Sequence, residues 1–141
     1  MGQLPGTEGV HRFDPLRKDW ERLQRLTPSE LQEGCNFIYF RNVMCVPCRV
    51  FDLKFPDVLR AYSCRCSFFV VTCGFYGRLC MSRPAKEAFS AFKVKEGPTI
   101  YVALVRGGRP AREAVIVGNP SISELRSYLY KNLGLRACRS T

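Results

Sequence analysis

The chain alternates short apolar runs with polar, charge-rich segments, and the period of each run predicts its element. Phe37, Ile38, Tyr39 and Phe40 form a continuous apolar run within 36–41, the pattern of a strand buried on both faces. Ser67 to Cys73 (SFFVVTC) is a second such run. Thr99 to Val105 and Ala111 to Val117 are two more strands, and Gly107–Gly108 between them is a hairpin turn signal. Helical spacing recurs as well. Val50, Phe51, Val58, Leu59 and Tyr62 mark a helix in which Pro56 predicts a kink or break. Ala85, Ala88, Phe89 and Phe92 mark a short helix over 83–92. Ile122, Leu125, Leu129 and Leu133 mark the last one, opened by a capping box of Ser121 and Glu124 and stopped near Gly134. Toward the N-terminus, Val10 to Phe13 reads as a short edge strand. Asp14–Pro15 then reads as a helix start, because Leu16, Trp20, Leu23 and Leu26 follow at helical spacing. Thr27, Pro28 and Glu30 predict one further helical turn.

The predicted order is helix, strand, helix, strand, helix, hairpin, helix. A strand–helix–strand unit gives a parallel pair, and the hairpin adds antiparallel strands. The expected fold class is therefore α/β, a three-layer α/β/α sandwich around a central mixed sheet. Residues 27–134 form the expected domain. Residues 1–26 are either an N-terminal extension or the domain's first strand and helix, and 135–141 are a C-terminal tail.

Composition narrows the picture only in places. A chain of 141 residues with 46% hydrophobic content has the size of one ordinary domain. No apolar run approaches the ~20 residues of a membrane span, so no membrane partner is expected. The first residues lack the basic-then-apolar pattern of a secretory leader, and the expected location is the cytoplasm. The net charge is +10, with basic residues spread along the chain rather than massed. That fits a solvated basic surface; the alternative is an acidic protein partner or nucleic acid. Eight cysteines change the picture more. In a reducing compartment, a dense set points to redox chemistry or metal.

Two of the eight, in Cys45-Val46-Pro47-Cys48, stand between a predicted strand and a predicted helix. A helix N-terminus offers unpaired N–H groups and partial positive charge, both of which favour a thiolate. The thiolate is the reactive form, and the second cysteine is near enough to close a disulfide with the first. Pro47 falls where the first helical turn tolerates a residue without an N–H.

With this motif the chain resembles the thioredoxin superfamily. Two further landmarks carry the resemblance: Gly97-Pro98-Thr99 before the hairpin, and Gly118 between the last strand and the C-terminal helix. The resemblance spans roughly Thr27 to Gly134. It implies a thiol–disulfide oxidoreductase in which Cys45 is the exposed nucleophile and Cys48, more buried, resolves the mixed disulfide. It implies a cis peptide bond at Pro98, and a substrate groove formed by Met44, Val46, Pro47, Gly97, Pro98, Thr99 and Gly118. It implies protein disulfide or dithiol substrates, an electron donor or acceptor not identified by the sequence, and no cofactor beyond the redox-active disulfide.

The chain also departs from the family pattern. Met44 stands where thioredoxins proper have Trp, and Val46 where they have Gly. Tyr39 stands where they have the buried carboxylate that assists proton transfer at the resolving cysteine. The alternative function is a non-catalytic thioredoxin-fold binding module. In it, Cys45, Cys48, Cys64 and Cys66 hold a structural zinc, since Cys-x-x-Cys followed by Cys-x-Cys approaches a four-cysteine spacing. A second disulfide is most naturally Cys73–Cys80, closing a glycine-containing loop over 73–81. Cys35 and Cys138 are expected to be unpaired. His11 is expected at the surface, Trp20 in the core or on a docking face, and Arg49 in solvent.

Overall fold

A computed structural model describes residues 4–74 and 80–139. Six strands form one mixed sheet: β1 (Gly9–Asp14), β2 (Asp19–Leu23), β3 (Gly34–Asn42), β4 (Cys66–Cys73), β5 (Thr99–Arg106) and β6 (Arg109–Val117), in the order β2-β1-β4-β3-β5-β6. β3 and β4 run parallel; the other neighbours are antiparallel. The helices are α1 (Val46–Tyr62), α2 (Arg83–Ala91) and α3 (Ile122–Leu133).

The side-chain period of two sorts the central strands into two cores. Phe37 and Tyr39 of β3, Phe68 and Val70 of β4, and Ile100 and Val102 of β5 pack against α1 and α3. Ile38, Phe40, Phe69, Val71, Tyr101 and Ala103 face the other way, onto Ala85, Ala88 and Phe89 of α2. The result is a three-layer α/β/α sandwich. Buried on both faces, the central strands need to be apolar at every position, which is why they read as continuous runs.

Four elements differ from the sequence reading. First, the stretch after Asp14 is a hairpin rather than a helix. Asp14 Oδ1 accepts the N–H groups of Leu16 (2.9 Å) and Arg17 (3.3 Å), and Lys18 N–H returns to the Asp14 carbonyl at 2.8 Å. One turn thus forms and then reverses through Lys18 at φ +55. Trp20 packs on the α1 side of the sheet and Leu23 on the α2 side, a division open to a strand but not to one helix stripe. Leu16, expected in that stripe, is 94% exposed. Second, β1 is not an edge strand, since it pairs with both β2 and β4, and His11 is consequently buried rather than at the surface.

Third, α1 is not broken at Pro56. Proline inside a helix costs about 3 kcal/mol. Phe51, Phe55, Val58 and Leu59 are all at most 1% exposed, and full burial of each contributes about 1.5–3 kcal/mol, so packing prevails. Fourth, residues 135–139 are held against the domain. Leu135 lies in the α1–α3 core, and Cys138 is disulfide-bonded to Cys64 and donates its N–H to the Ala61 carbonyl at 2.6 Å.

Cys35 is likewise paired, with Cys66 across the parallel β3–β4 register. Both cysteines expected to be unpaired are therefore in disulfides. Their partners lie 31 and 74 residues away, separations that only the fold closes. Cys73 pairs with Cys80. Most of the loop they bound, 75–79, lies outside the described residues. Its two ends are clasped by Glu8, whose carboxylate accepts the N–H groups of Gly74 and Met81. Among the described residues, no helix is long and apolar enough to cross a membrane.

Candidate redox site

The C-terminal end of β3 delivers the cysteine pair. The Cys45 N–H bonds the Asn42 carbonyl at 3.2 Å, and the Val43 N–H bonds the Cys73 carbonyl at 3.0 Å, so the turn hangs between β3 and β4. Cys45 is the N-cap of α1, with extended backbone (φ -96, ψ 117). Its sulfur accepts the Cys48 N–H at 3.2 Å, taking up one of the donors a helix start leaves free. The same sulfur lies 3.4 Å from the Gly97 carbonyl, to which a thiol can donate.

Both cysteines are free thiols, and both are largely covered: Cys45 is 6% exposed and Cys48 is 0%. Cys45 is the less buried of the two, but it is not broadly exposed as the resemblance implied. The residues on either side of it, Met44 and Val46, are 62% and 66% exposed. Burial, first of all, pushes the Cys48 thiol up to about 12; the neighbouring Cys45 and the Asp52 carboxylate add to the rise, while the Asn42 backbone N–H opposes it.

The Gly97–Pro98 segment closes the site from the other side. Its peptide bond is cis, and the Pro98 carbonyl accepts the Gly118 N–H at 2.8 Å. This bond ties the hairpin entry to the turn after β6. A side chain at Gly97 would begin 2.9 Å from Cys48 Sγ, 3.2 Å from Asn42 Nδ2 and 3.8 Å from Cys45 Sγ. Only a residue without Cβ allows the backbone this close to both sulfurs.

Of the residues assigned to a substrate groove, Met44, Val46 and Pro47 are exposed beside Cys45, and Gly97 and Gly118 are partly exposed. Pro98 is buried. Thr99 does not contribute its side chain to the rim: it is 3% exposed, and its hydroxyl donates to the Glu96 carbonyl at 2.7 Å. As the first residue of β5, paired with Phe40 of β3, it is inside the sheet.

The structure does not bring together the four cysteines of the zinc alternative. Cys45 and Cys48 stand at the start of α1, and Cys64 and Cys66 beyond its end, about 25 Å of helix away. Cys64 and Cys66 are each bonded to another cysteine.

Two residues at the site went unnoticed in the sequence. Asp52 follows Cys48 by one helical turn, and that i, i+4 spacing was its available signal. It accepts from Arg41 Nη2 at 2.9 Å and Arg41 Nε at 3.1 Å, a two-pronged ion pair. It also accepts from the Tyr39 hydroxyl at 2.8 Å, and the same hydroxyl lies 3.0 Å from the Cys48 carbonyl oxygen. Burial, and then the Asp52 carboxylate, push the Tyr39 phenol up, so it stays a donor. A carboxylate thus stands one hydroxyl away from Tyr39, contributed by α1 rather than by the strand. The second residue is Asn42, buried beside the sulfurs.

No family model matches the chain, and no curated protein matches it. Solved structures do. The germline-specific thioredoxin Deadhead of Drosophila melanogaster is similar with a TM-score of 0.51 at 18% identity, over 71% of this chain and 82% of that one. Thioredoxin f2 of Chlamydomonas reinhardtii is similar with a TM-score of 0.53 at 14% identity, over 79% of this chain and 97% of that one. With the mixed sheet, the helix pair on one face and the single helix on the other, these likenesses establish that the chain has the thioredoxin fold.

Proposed function

We propose that this chain is a thiol–disulfide oxidoreductase acting on protein substrates through Cys45 and Cys48. The observation that carries the reading is the placement of Cys45 Sγ. It caps α1, accepts the Cys48 N–H, and lies against the Gly97 carbonyl, between the exposed residues Met44 and Val46.

In the reductive direction, the Cys45 thiolate attacks one sulfur of a substrate disulfide. The substrate S–S bond breaks, its other sulfur leaves as a thiolate, and a mixed disulfide joins Cys45 to the substrate. Cys48 then gives up its proton and attacks Cys45 Sγ. A Cys45–Cys48 bond forms, and the remaining substrate sulfur leaves. The two protons end on the substrate thiols, and two electrons have passed from protein to substrate. An external dithiol returns the pair to its reduced form. Run backward, the same steps oxidise a dithiol.

Beside the exposed Arg49, the exposed side chains flanking Cys45 and along the first turns of α1 are apolar: Met44, Val46, Val50 and Leu53. That composition suits an extended, apolar protein segment better than a small charged thiol. The test is trapping. Cys48→Ser is expected to accumulate a mixed disulfide with a protein substrate, and Cys45→Ser to exchange nothing. Equal activity of both variants refutes the assignment.

A further inference from the structure

Asn42 is the last residue of β3 and is 1% exposed. Its backbone is in use, but among the described residues neither Nδ2 nor Oδ1 of its side chain has a hydrogen-bond partner. Buried side-chain amides are almost always paired, and an unpaired one needs a reason. Its position supplies one. Nδ2 is 3.2 Å from the point above Gly97 that lies 2.9 Å from Cys48 Sγ and 3.8 Å from Cys45 Sγ. One amide and two sulfurs thus surround one small space, kept open by the missing side chain of residue 97.

A thiol is a weak acceptor and a thiolate a strong one. In the dithiol form the amide therefore faces sulfurs that have little use for it. At the resolving step, Cys48 must become a thiolate inside a site whose burial resists that charge. A buried donor with no other partner, lining the same space, is free to turn to a charge that appears only during reaction. We propose that Asn42 is a catalytic residue of the resolving step, its Nδ2–H group donating to the Cys48 sulfur as that sulfur becomes a thiolate and attacks the mixed disulfide at Cys45. The proton leaves Cys48 for solvent or the departing substrate sulfur. The Cys45–substrate bond breaks as the Cys45–Cys48 bond forms. This assignment rests on the exchange reading of Cys45 and Cys48.

The experiment loads Cys45 with a chromophoric aromatic thiol as a mixed disulfide and follows its release by Cys48 against pH. The first attack is measured separately, with the aromatic disulfide on a Cys48→Ser background. In Asn42→Ala, release is expected to slow about tenfold or more at neutral pH, with its pH inflection moved upward. The first attack is expected to stay within about twofold of the parent, and Asn42→Ser, which restores a donor, to recover part of the loss. Thermal unfolding separates this from a structural role. Loss of an unpartnered buried amide leaves the midpoint unchanged or raises it, whereas a structural Asn42 lowers it. Release from Asn42→Ala at the parent rate with the parent pH profile overturns the inference, as does a lowered midpoint that accounts for the slowing. If the parent protein itself fails to release the thiol through Cys48, the exchange reading falls instead.

Discussion

Replacing Gly97 with alanine tests the geometry of the cysteine site with one added carbon. The new Cβ would sit 2.9 Å from Cys48 Sγ and 3.2 Å from Asn42 Nδ2. Carbon and its non-bonded neighbours settle at about 3.5–4.0 Å, so the first contact is short by more than half an ångström. Neither neighbour retreats easily. Cys48 is 0% exposed in the first turn of α1, and Asn42 is 1% exposed at the end of β3. Overpacking of this kind costs about 1–3 kcal/mol. At about 2 kcal/mol, the folding constant falls roughly 30-fold and the unfolding midpoint drops by about 6 °C. Any relief must displace the Cys48 sulfur or its surroundings, so the Cys45–Cys48 disulfide should form less readily against a glutathione couple. Thermal unfolding of the reduced protein and a glutathione titration with cysteine mapping read the two effects. A Gly97→Ala variant with the parent midpoint and the parent Cys45–Cys48 potential would refute the close approach.

Three further outcomes follow from particular contacts. Asp52→Ala leaves Arg41, whose side chain is 11% exposed, without its carboxylate; removing one partner of such a covered pair should cost about 3 kcal/mol in urea unfolding, and a double-mutant cycle with Arg41→Ala should show the coupling. Among the disulfides, loop-closure entropy orders the losses on Cys→Ser substitution. About 4.5 kcal/mol is expected for Cys64–Cys138 and about 2.5 for Cys73–Cys80, and unfolding midpoints in the reverse order would contradict that account. Finally, the Cys48 thiol is raised to about 12 from the ordinary 9.0. The folded dithiol protein then keeps a proton that the unfolded chain loses. Its stability contribution is complete below about pH 9 and is lost as pH rises toward 12. Urea midpoints of reduced parent protein should fall more steeply across that window than those of Cys48→Ala, and parallel curves would exclude the effect.

Sequence alone determined the parts of this protein whose signal is local. The two-sided apolar runs of β3, β4 and β5 announce buried central strands because both faces of those strands are covered. Ser121 and Glu124 do make their capping box, and Gly107–Gly108 does turn the hairpin, at φ +65 and +77. The cysteine pair was legible for the same reason, since four residues at a strand–helix junction hold both sulfurs and the start of the helix. Tertiary structure decided what depends on distant partners. Asp14–Pro15 begins a turn in either a helix or a hairpin; pairing of β1 with β4 and the packing of Trp20 on Phe55, at 6.1 Å, select the hairpin. Pro56 is tolerated because of the core beneath α1. The pairing of Cys35 with Cys66 and of Cys64 with Cys138 depends on strand register and on where the chain's end lies, and neither is written in spacing. The charged partner of the site, Asp52, and the unpartnered amide of Asn42 were visible as letters only. Their roles follow from burial, which fixes what each side chain meets, and burial belongs to the assembled sheet and helices rather than to any stretch of sequence.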